Sequence, residues 1–274
     1  MIELPEAVVL AKQLSEIVSE RTIGNVVADH SPHKFAWYFG DPRAYGTLLA
    51  GKRIDGAASY GGQVEVAAGD ARIAFSDGVN LRYVAPGKKL PDKHQLLLEL
   101  DDGSFLVGSV QMYGGLMAFP EGRNDNPYYL VAKEKPSPLS ADFDEAYFNS
   151  LFAEGTEKLS LKAFLATEQR IPGIGNGVLQ DILFNARMHP KRKVATLSDA
   201  DRTVLLDSVK GTLAQMVAAD GRDTETDLFG KSGGYATMLS KNTVGQPCTV
   251  CGSLIQKEAY MGGSVYYCPT CQGT

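Results

Sequence analysis

Cys248-Thr249-Val250-Cys251, sixteen residues, then Cys268-Pro269-Thr270-Cys271: the four cysteines of this 274-residue chain all lie in its last 27 residues. Two Cys-x-x-Cys knuckles at this spacing can fold a β-hairpin whose thiolates converge on one tetrahedral zinc ion. Two disulfides or a redox pair would use the same residues. Nothing around them has the thioredoxin-like βαβ setting of a redox pair, and no secretory signal precedes them. Four thiolates close the coordination sphere and leave no position for substrate. Cys248, Cys251, Cys268 and Cys271 are therefore expected to build a scaffold, with the function elsewhere.

Working outward, residues 221–247 are polar and glycine-rich. Before them, helical patterns run over about 142–153, 160–169, 176–187 and 198–219, the last with Ser198 as N-cap and Asp199 and Asp201 in its first turn. Residues 121–139, rich in Pro, Asn, Asp and Lys without an apolar period, read as a linker. Residues 21–120 hold short β-like runs at 22–27, 62–66, 71–75, 96–100, 104–110 and 116–119, with a hairpin turn at Asp101-Asp102-Gly103. At the start, Val9, Leu10, Leu14, Ile17 and Val18 form a helical stripe after Pro5, so the six-residue head is expected to emerge just before a helix. The expected fold class is α+β: an N-terminal β-sandwich or flattened barrel with a leading helix, then a helical part, then the zinc hairpin. The corresponding domains are 1–125, 126–240 and 241–274.

Composition is globular, with 44% hydrophobic and 22% charged residues and no apolar run long enough to span a bilayer. The acidic start Met1-Ile2-Glu3-Leu4-Pro5-Glu6 lacks the basic character of a signal or transit peptide, so a cytoplasmic location is expected. The net charge of −5 is unevenly spread. Residues 151–274 carry 13 Lys and Arg against 12 Asp and Glu, whereas residues 1–150 carry 14 against 20. Charge alone does not suggest a nucleic-acid partner; such a partner would have to meet a local basic surface, mostly in the second half.

Ile171-Pro172-Gly173-Ile174-Gly175-Asn176 sits between two helical patterns. Glycines here permit positive φ and close backbone approach, and a helix starting at or just after Asn176 would turn N–H groups toward a phosphate. An ordinary helix–helix turn has the same composition. The longer stretch decides between them. Residues 171–190 resemble the helix-two-turns-helix of the formamidopyrimidine-DNA glycosylase/endonuclease VIII family. The cysteine hairpin, from Gly245-Gln246-Pro247 to Gln272, is similar to that family's C-terminal finger, and Glu3-Leu4-Pro5-Glu6 to its catalytic head.

The resemblance implies a bilobed DNA-repair protein that grips duplex DNA between its lobes and flips the damaged nucleotide out of the stack. It implies catalysis by the α-amine of the first mature residue, here Ile2 or Met1, attacking the sugar C1′ to form a Schiff base. Glu3 would handle protons, Glu6 matches a second glutamate of the head, and β-elimination would nick the strand. Gly173, Gly175, Asn176 and Lys162 would hold the backbone. Gln111 and Tyr113, in Gln111-Met112-Tyr113-Gly114, would fill the gap left by the flipped base, where a strand end with two core residues is the plainer reading.

The departures fall on the chemistry. Ile2 replaces the family's proline, Ser59 stands where a phosphate-binding lysine is usual, and Gly263 where an arginine grips the phosphates. Other features read more plainly. His30 and His33 belong to a proline-bearing loop rather than a metal site, and Phe35-Ala36-Trp37-Tyr38-Phe39 is core, or the lining of a pocket for a flipped base. His189-Pro190-Lys191-Arg192-Lys193 is a solvated basic patch or a phosphate contact. The expected function is a base-excision DNA glycosylase with abasic-site lyase activity, monomeric, with one structural zinc and damaged double-stranded DNA as partner. The alternative is a DNA-binding, damage-sensing relative that has lost catalysis.

Overall fold

The computed structural model describes residues 1–273. Its first helix, α1 (Leu4–Val18), begins inside the head, so Glu6 is helical and Glu3 is the N-cap, with its N–H donating to the Glu6 carboxylate at 3.3 Å. Leu10, Leu14 and Val18 are buried as the stripe requires, but Ile17 is 37% exposed. Leu4 packs in the helical core while Ile2 and Ala7 pack in the β core, so the head is the seam between the lobes.

After β1 (Ile23–Ala28), β2 (Ala36–Trp37) and the short helix α2 (Tyr45–Leu49) come β3 (Ile54–Tyr60), β4 (Gln63–Ala68), β5 (Ala71–Val84), β6 (Leu96–Leu100) and β7 (Phe105–Pro120). They form one seven-stranded sheet in the order β1-β6-β7-β5-β4-β3, antiparallel throughout, with β2 added parallel to β7. The separate runs expected at 104–110 and 116–119 are halves of the single strand β7, and 71–75 is the first part of the long β5.

Both long strands bend at one place, where Asp77 takes a left-handed φ of 51° and the register shifts between Asp77 and Val79. The bend is sharp. A Cβ on Gly108 would lie 3.5 Å from the Phe75 ring and 3.7 Å from Leu96 Cβ, and would also press on Leu116, eight positions along the same strand. A straight strand would separate such positions by roughly 27 Å. The sandwich is thus one sheet folded on itself, closing over Val66, Ile73, Phe75, Leu98 and Leu106.

The stretch read as a linker carries a helix, α3 (Pro127–Glu134), capped by the Asn126 side chain, which accepts from the N–H groups of Tyr128 and Tyr129. Tyr129 and Lys133 bind the Glu65 carboxylate of β4, so this segment is anchored to the sheet. The helical part follows as α4 (Glu145–Ser150), α5 (Leu161–Ala166), α6 (Val178–Asn185) and α7 (Asp199–Ala218) around Phe148, Phe164, Leu179, Leu183, Leu205 and Leu213. Ser198 caps α7 as expected, accepting from Asp201 N. The hairpin of β8 (Gln256–Tyr260) and β9 (Gly263–Tyr267) completes the fold, with Ile255 and Cys268 packed on Phe184 of α6. Among the described residues no helix is long and apolar enough to cross a membrane.

Candidate active site and nucleic-acid interface

Glu3 is 4% exposed, and its carboxylate lies across the start of α6. Oε1 accepts from Gly177 N at 2.8 Å and Oε2 from Val178 N at 2.7 Å. These N–H groups have no partner within the helix, and the helix dipole there favours a negative charge. The Arg222 guanidinium lies 3.2 Å from Glu3 Oε2 and donates to Glu6 through Nε at 2.9 Å and Nη2 at 2.7 Å. Burial pushes the Glu3 carboxyl above its ordinary value; Arg222 and the two N–H groups pull against it, while Glu6 adds to the rise. Against the cost of its own burial, Glu3 and Glu6 hold Arg222 firmly charged.

The glycines of the 171–176 loop make this arrangement possible. Gly173 has φ +86°, and a Cβ there would lie 2.7 Å from Gly62 N and 2.8 Å from Leu4 Cβ. Its carbonyl accepts from Leu4 N at 2.9 Å. A Cβ on Gly175 would lie 2.8 Å from Glu3 Cδ. The close approach anticipated for a ligand is thus used by the protein's own head and by the β3–β4 turn.

Asn176 faces the zinc hairpin: Nδ2 donates to Ser264 O at 3.0 Å, while its buried Oδ1 has no partner. Lys162 Nζ donates to Tyr260 O at 2.7 Å, and burial lowers its pKa. A Cβ on Gly263 would sit 3.4 Å from Lys162 Nζ and 3.8 Å from Asn176 Cγ, so the hairpin tip, α5 and the loop meet at one point. Lys162, Gly173, Gly175, Asn176 and Gly263 line a cleft of about 820 Å³ whose other wall carries Met1, Ile2, Met112 and Tyr113. Ser59 lies on β3, just before the Gly61-Gly62 turn, and is not among the residues lining it.

Met1 opens on this cleft, and its ammonium pairs with Glu225 in the loop after α7. Ile2 is buried, and its N–H donates to Asp77 O at 2.7 Å, at the bend of the sheet. Gln111, Met112 and Tyr113 project from the same bend of β7 and all are exposed, Met112 by 63% and Tyr113 by 45%. None is core, and the Tyr113 hydroxyl comes within 4.0 Å of Met1 Sδ.

The four cysteine sulfurs lie within 4.8 Å of one another, with Cys248–Cys271 at 3.9 Å and Cys251–Cys268 at 3.3 Å. A tetrahedral zinc with bonds of about 2.3 Å would separate its thiolates by roughly 3.8 Å. Backbone N–H groups of Val250 and Cys271 point at the sulfurs of Cys248 and Cys268, which suits thiolates. The donor set fits one structural zinc. Gln272, buried behind it, ties the finger to the Met188 carbonyl beyond α6.

No other metal-ligating cluster occurs among the described residues. His30 stacks on His94 instead. The basic patch is largely spent inside the fold: Lys191 pairs with Glu258, Arg192 with Asp201, and Lys193 Nζ donates to Lys158 O at 2.9 Å. Arg222 is the residue that sequence reasoning missed. A lone arginine in a polar, glycine-rich stretch gives no signal of its own.

Residues 135–227 match the formamidopyrimidine-DNA glycosylase H2TH domain. The chain is 30% identical over 213 residues to the formamidopyrimidine-DNA glycosylase of Alcanivorax borkumensis, covering 76% of this chain and 77% of that one. It is 24% identical to the Bacillus cereus enzyme of the same name, over 99% of both. In fold it resembles the MutM (Fpg) protein of Thermus thermophilus, with a TM-score of 0.82 at 24% identity over 99% of this chain and 98% of that one. Lactococcus lactis Fpg in complex with abasic-site DNA gives 0.83 at 22% identity over 99% and 100%. With head, glycine loop and cysteine finger in these positions, and that sequence identity across three-quarters of both chains, the chain belongs to the formamidopyrimidine-DNA glycosylase family.

Proposed function

We propose that this chain is a base-excision DNA glycosylase with abasic-site lyase activity on damaged duplex DNA. The observation that carries the reading is the Glu3 carboxylate, fixed on the first N–H groups of α6 and by Arg222, at the root of an α-amine that opens on the cleft. A protein that only bound DNA would have no evident use for a buried two-carboxylate, one-guanidinium cluster there.

In the proposed reaction the neutral α-amine adds to C1′ of the everted nucleotide. The C1′–base bond breaks, and the base leaves with a proton relayed by Glu3. The sugar ring opens to a protonated imine, which acidifies the C2′ proton; its loss expels the 3′ phosphate and cuts the strand. A carboxyl whose pKa is raised by burial is suited to holding and returning a proton. With Met1 in place the Ile2 nitrogen is an amide committed to Asp77, so the Met1 amine is the nucleophile, and it must first leave Glu225. Gln111, Met112 and Tyr113 would fill the vacated stack. Asn176, Gly173, Gly175 and Lys162 would hold the backbone in a region lacking an arginine at Gly263. The zinc, when bound, supplies only the fold of the hairpin. Action as a monomer, in the cytoplasm where DNA is accessible, belongs to the same reading.

The test separates excision from strand cleavage. Glu3→Gln should lower excision of a damaged base by about 100-fold or more, the lower range for a general acid–base group. Borohydride should still trap that variant on a preformed abasic site. Excision at the parental rate would overturn the role of Glu3. An adduct from neither the parent nor Glu225→Gln, in which Met1 is released from its pairing, would instead leave the second reading, a damage-binding protein without turnover.

A further inference from the structure

Excision followed by strand cleavage moves two protons, one to the leaving base through Glu3 and one off C2′ of the sugar. The second needs an acceptor that faces the cleft with a free lone pair. Glu3 is not placed for it: Oε1 and Oε2 already accept from Gly177 N and Val178 N, and Arg222 lies 3.2 Å from Oε2. Lys162 is held at the hairpin tip by Tyr260 O at 2.7 Å. Burial, with the charges of Asp77 and Glu3, pushes the Tyr113 phenol above its ordinary value, so it stays protonated. Of the described residues lining the cleft, only Glu3 and Asp77 carry a carboxyl, and Glu225 is not among them.

Asp77 sits at the bend of β5, opposite Gly114 of β7, with a left-handed φ that is uncommon outside glycine. Its carbonyl accepts from Ile2 N at 2.7 Å, which fixes it against the residue next to the Met1 amine. The residue is exposed to the cleft, and no hydrogen bond or ion pair with the described residues holds its carboxyl; the cleft walls exclude enough water to raise its pKa above the ordinary value. A free carboxylate on this wall works against binding a polyanion, so binding alone gives it no use. We propose that Asp77 is the catalytic residue that takes the C2′ proton in the strand-cleavage step. Once the Met1 nitrogen is joined to C1′ as a protonated imine, the carboxylate removes that proton. The C2′–H pair becomes a C1′–C2′ π bond while the imine π pair returns to nitrogen. The enamine then restores the C1′–N π bond, the carbon π pair shifts to C2′–C3′, and the C3′–O bond breaks, its pair leaving with the phosphate. The proton stays on Asp77, whose neutral carboxyl does not repel the departing anion. This inference rests on the lyase part of the proposed function.

Single-turnover reactions of the full chain on a preformed abasic duplex, quenched with and without borohydride, separate the imine from the nick. Asp77→Asn keeps the shape, and asparagine tolerates a left-handed φ. Its nicking should fall about 100-fold or more, the lower range for a general base, while the trapped adduct stays at the parental level or above. Asp77→Gly suits the φ of 51° and leaves room for a small carboxylate, so formate should restore nicking in that variant and not in Asp77→Asn. Parental nicking by Asp77→Asn, or loss of adduct and nick together, would overturn the assignment. So would formate acceleration of parent and variants alike. A parent that forms neither adduct nor nick removes the lyase reading and this assignment with it, so the parent reaction tells the two failures apart.

Discussion

Arg222 lies 216 positions from Glu6 and, among the described residues, is the only cation paired with both buried carboxylates of the head. Removing one partner from a buried charge cluster typically costs about 3–5 kcal/mol. Arg222→Met is therefore expected to lower unfolding stability by about that amount in urea, and Arg222→Lys to recover only part of it, because one ammonium cannot span both carboxylates. A loss below about 1 kcal/mol for Arg222→Met would show that the cluster is solvated. Gly175→Ala makes a second test at this scale. Its Cβ would push on the Glu3 carboxyl, so excision should fall at least about tenfold while the protein stays folded. A fully active Gly175→Ala would detach Glu3 from the chemistry. Glu3, Glu6 and the glycines were legible in the sequence because they are contiguous motifs. Arg222 was not, because nothing local announces a partner 216 residues away.

At the scale of elements, α6 is held to the segment that leads into the finger by Asp181, whose carboxylate accepts from Met238 N at 2.9 Å and Leu239 N at 2.8 Å. Burial pushes this group up to about 6 from an ordinary value of 3.8. A carboxyl whose folded pKa is raised binds more protons folded than unfolded, so its contribution falls as pH rises between the two values. Relative to Asp181→Asn, the parent should lose roughly 3 kcal/mol of stability between about pH 4 and pH 6. A pH-independent difference would mean that Asp181 is not dehydrated. Cys268→Ser should disorder β8 and β9 and release Ile255 from Phe184, leaving the β lobe folded; a native-like finger in that variant, by hydrogen exchange, would contradict the zinc scaffold. The helices were readable from their apolar period and the cap at Ser198. The linker reading missed α3 because its anchors, Tyr129 and Lys133 on Glu65, are tertiary. The unity of β7 was hidden by the exposed residues 111–113 at its bend.

At the scale of the molecule, three short motifs at the two ends and in the middle of the chain come together around one cleft, and this was the part most legible in the sequence. The exchange of loop glycines for internal packing, with Gly173 against Gly62 and Gly175 against Glu3, was not, since a sequence cannot say whether a close approach serves a ligand or the protein itself. Asn176 braces the hairpin tip through Ser264, so Asn176→Ala should weaken binding to damaged and undamaged duplexes by similar factors. Lost affinity for damaged duplex alone would make Asn176 a reader of the lesion. The central claim is that an amine at the first residue attacks the sugar. Borohydride reduction on an abasic duplex, followed by mass mapping of the adduct, tests it most directly. A covalent adduct on the α-amine of residue 1, increased in Glu225→Gln, is the expected result; an adduct on an internal lysine, or none from either protein, would contradict it.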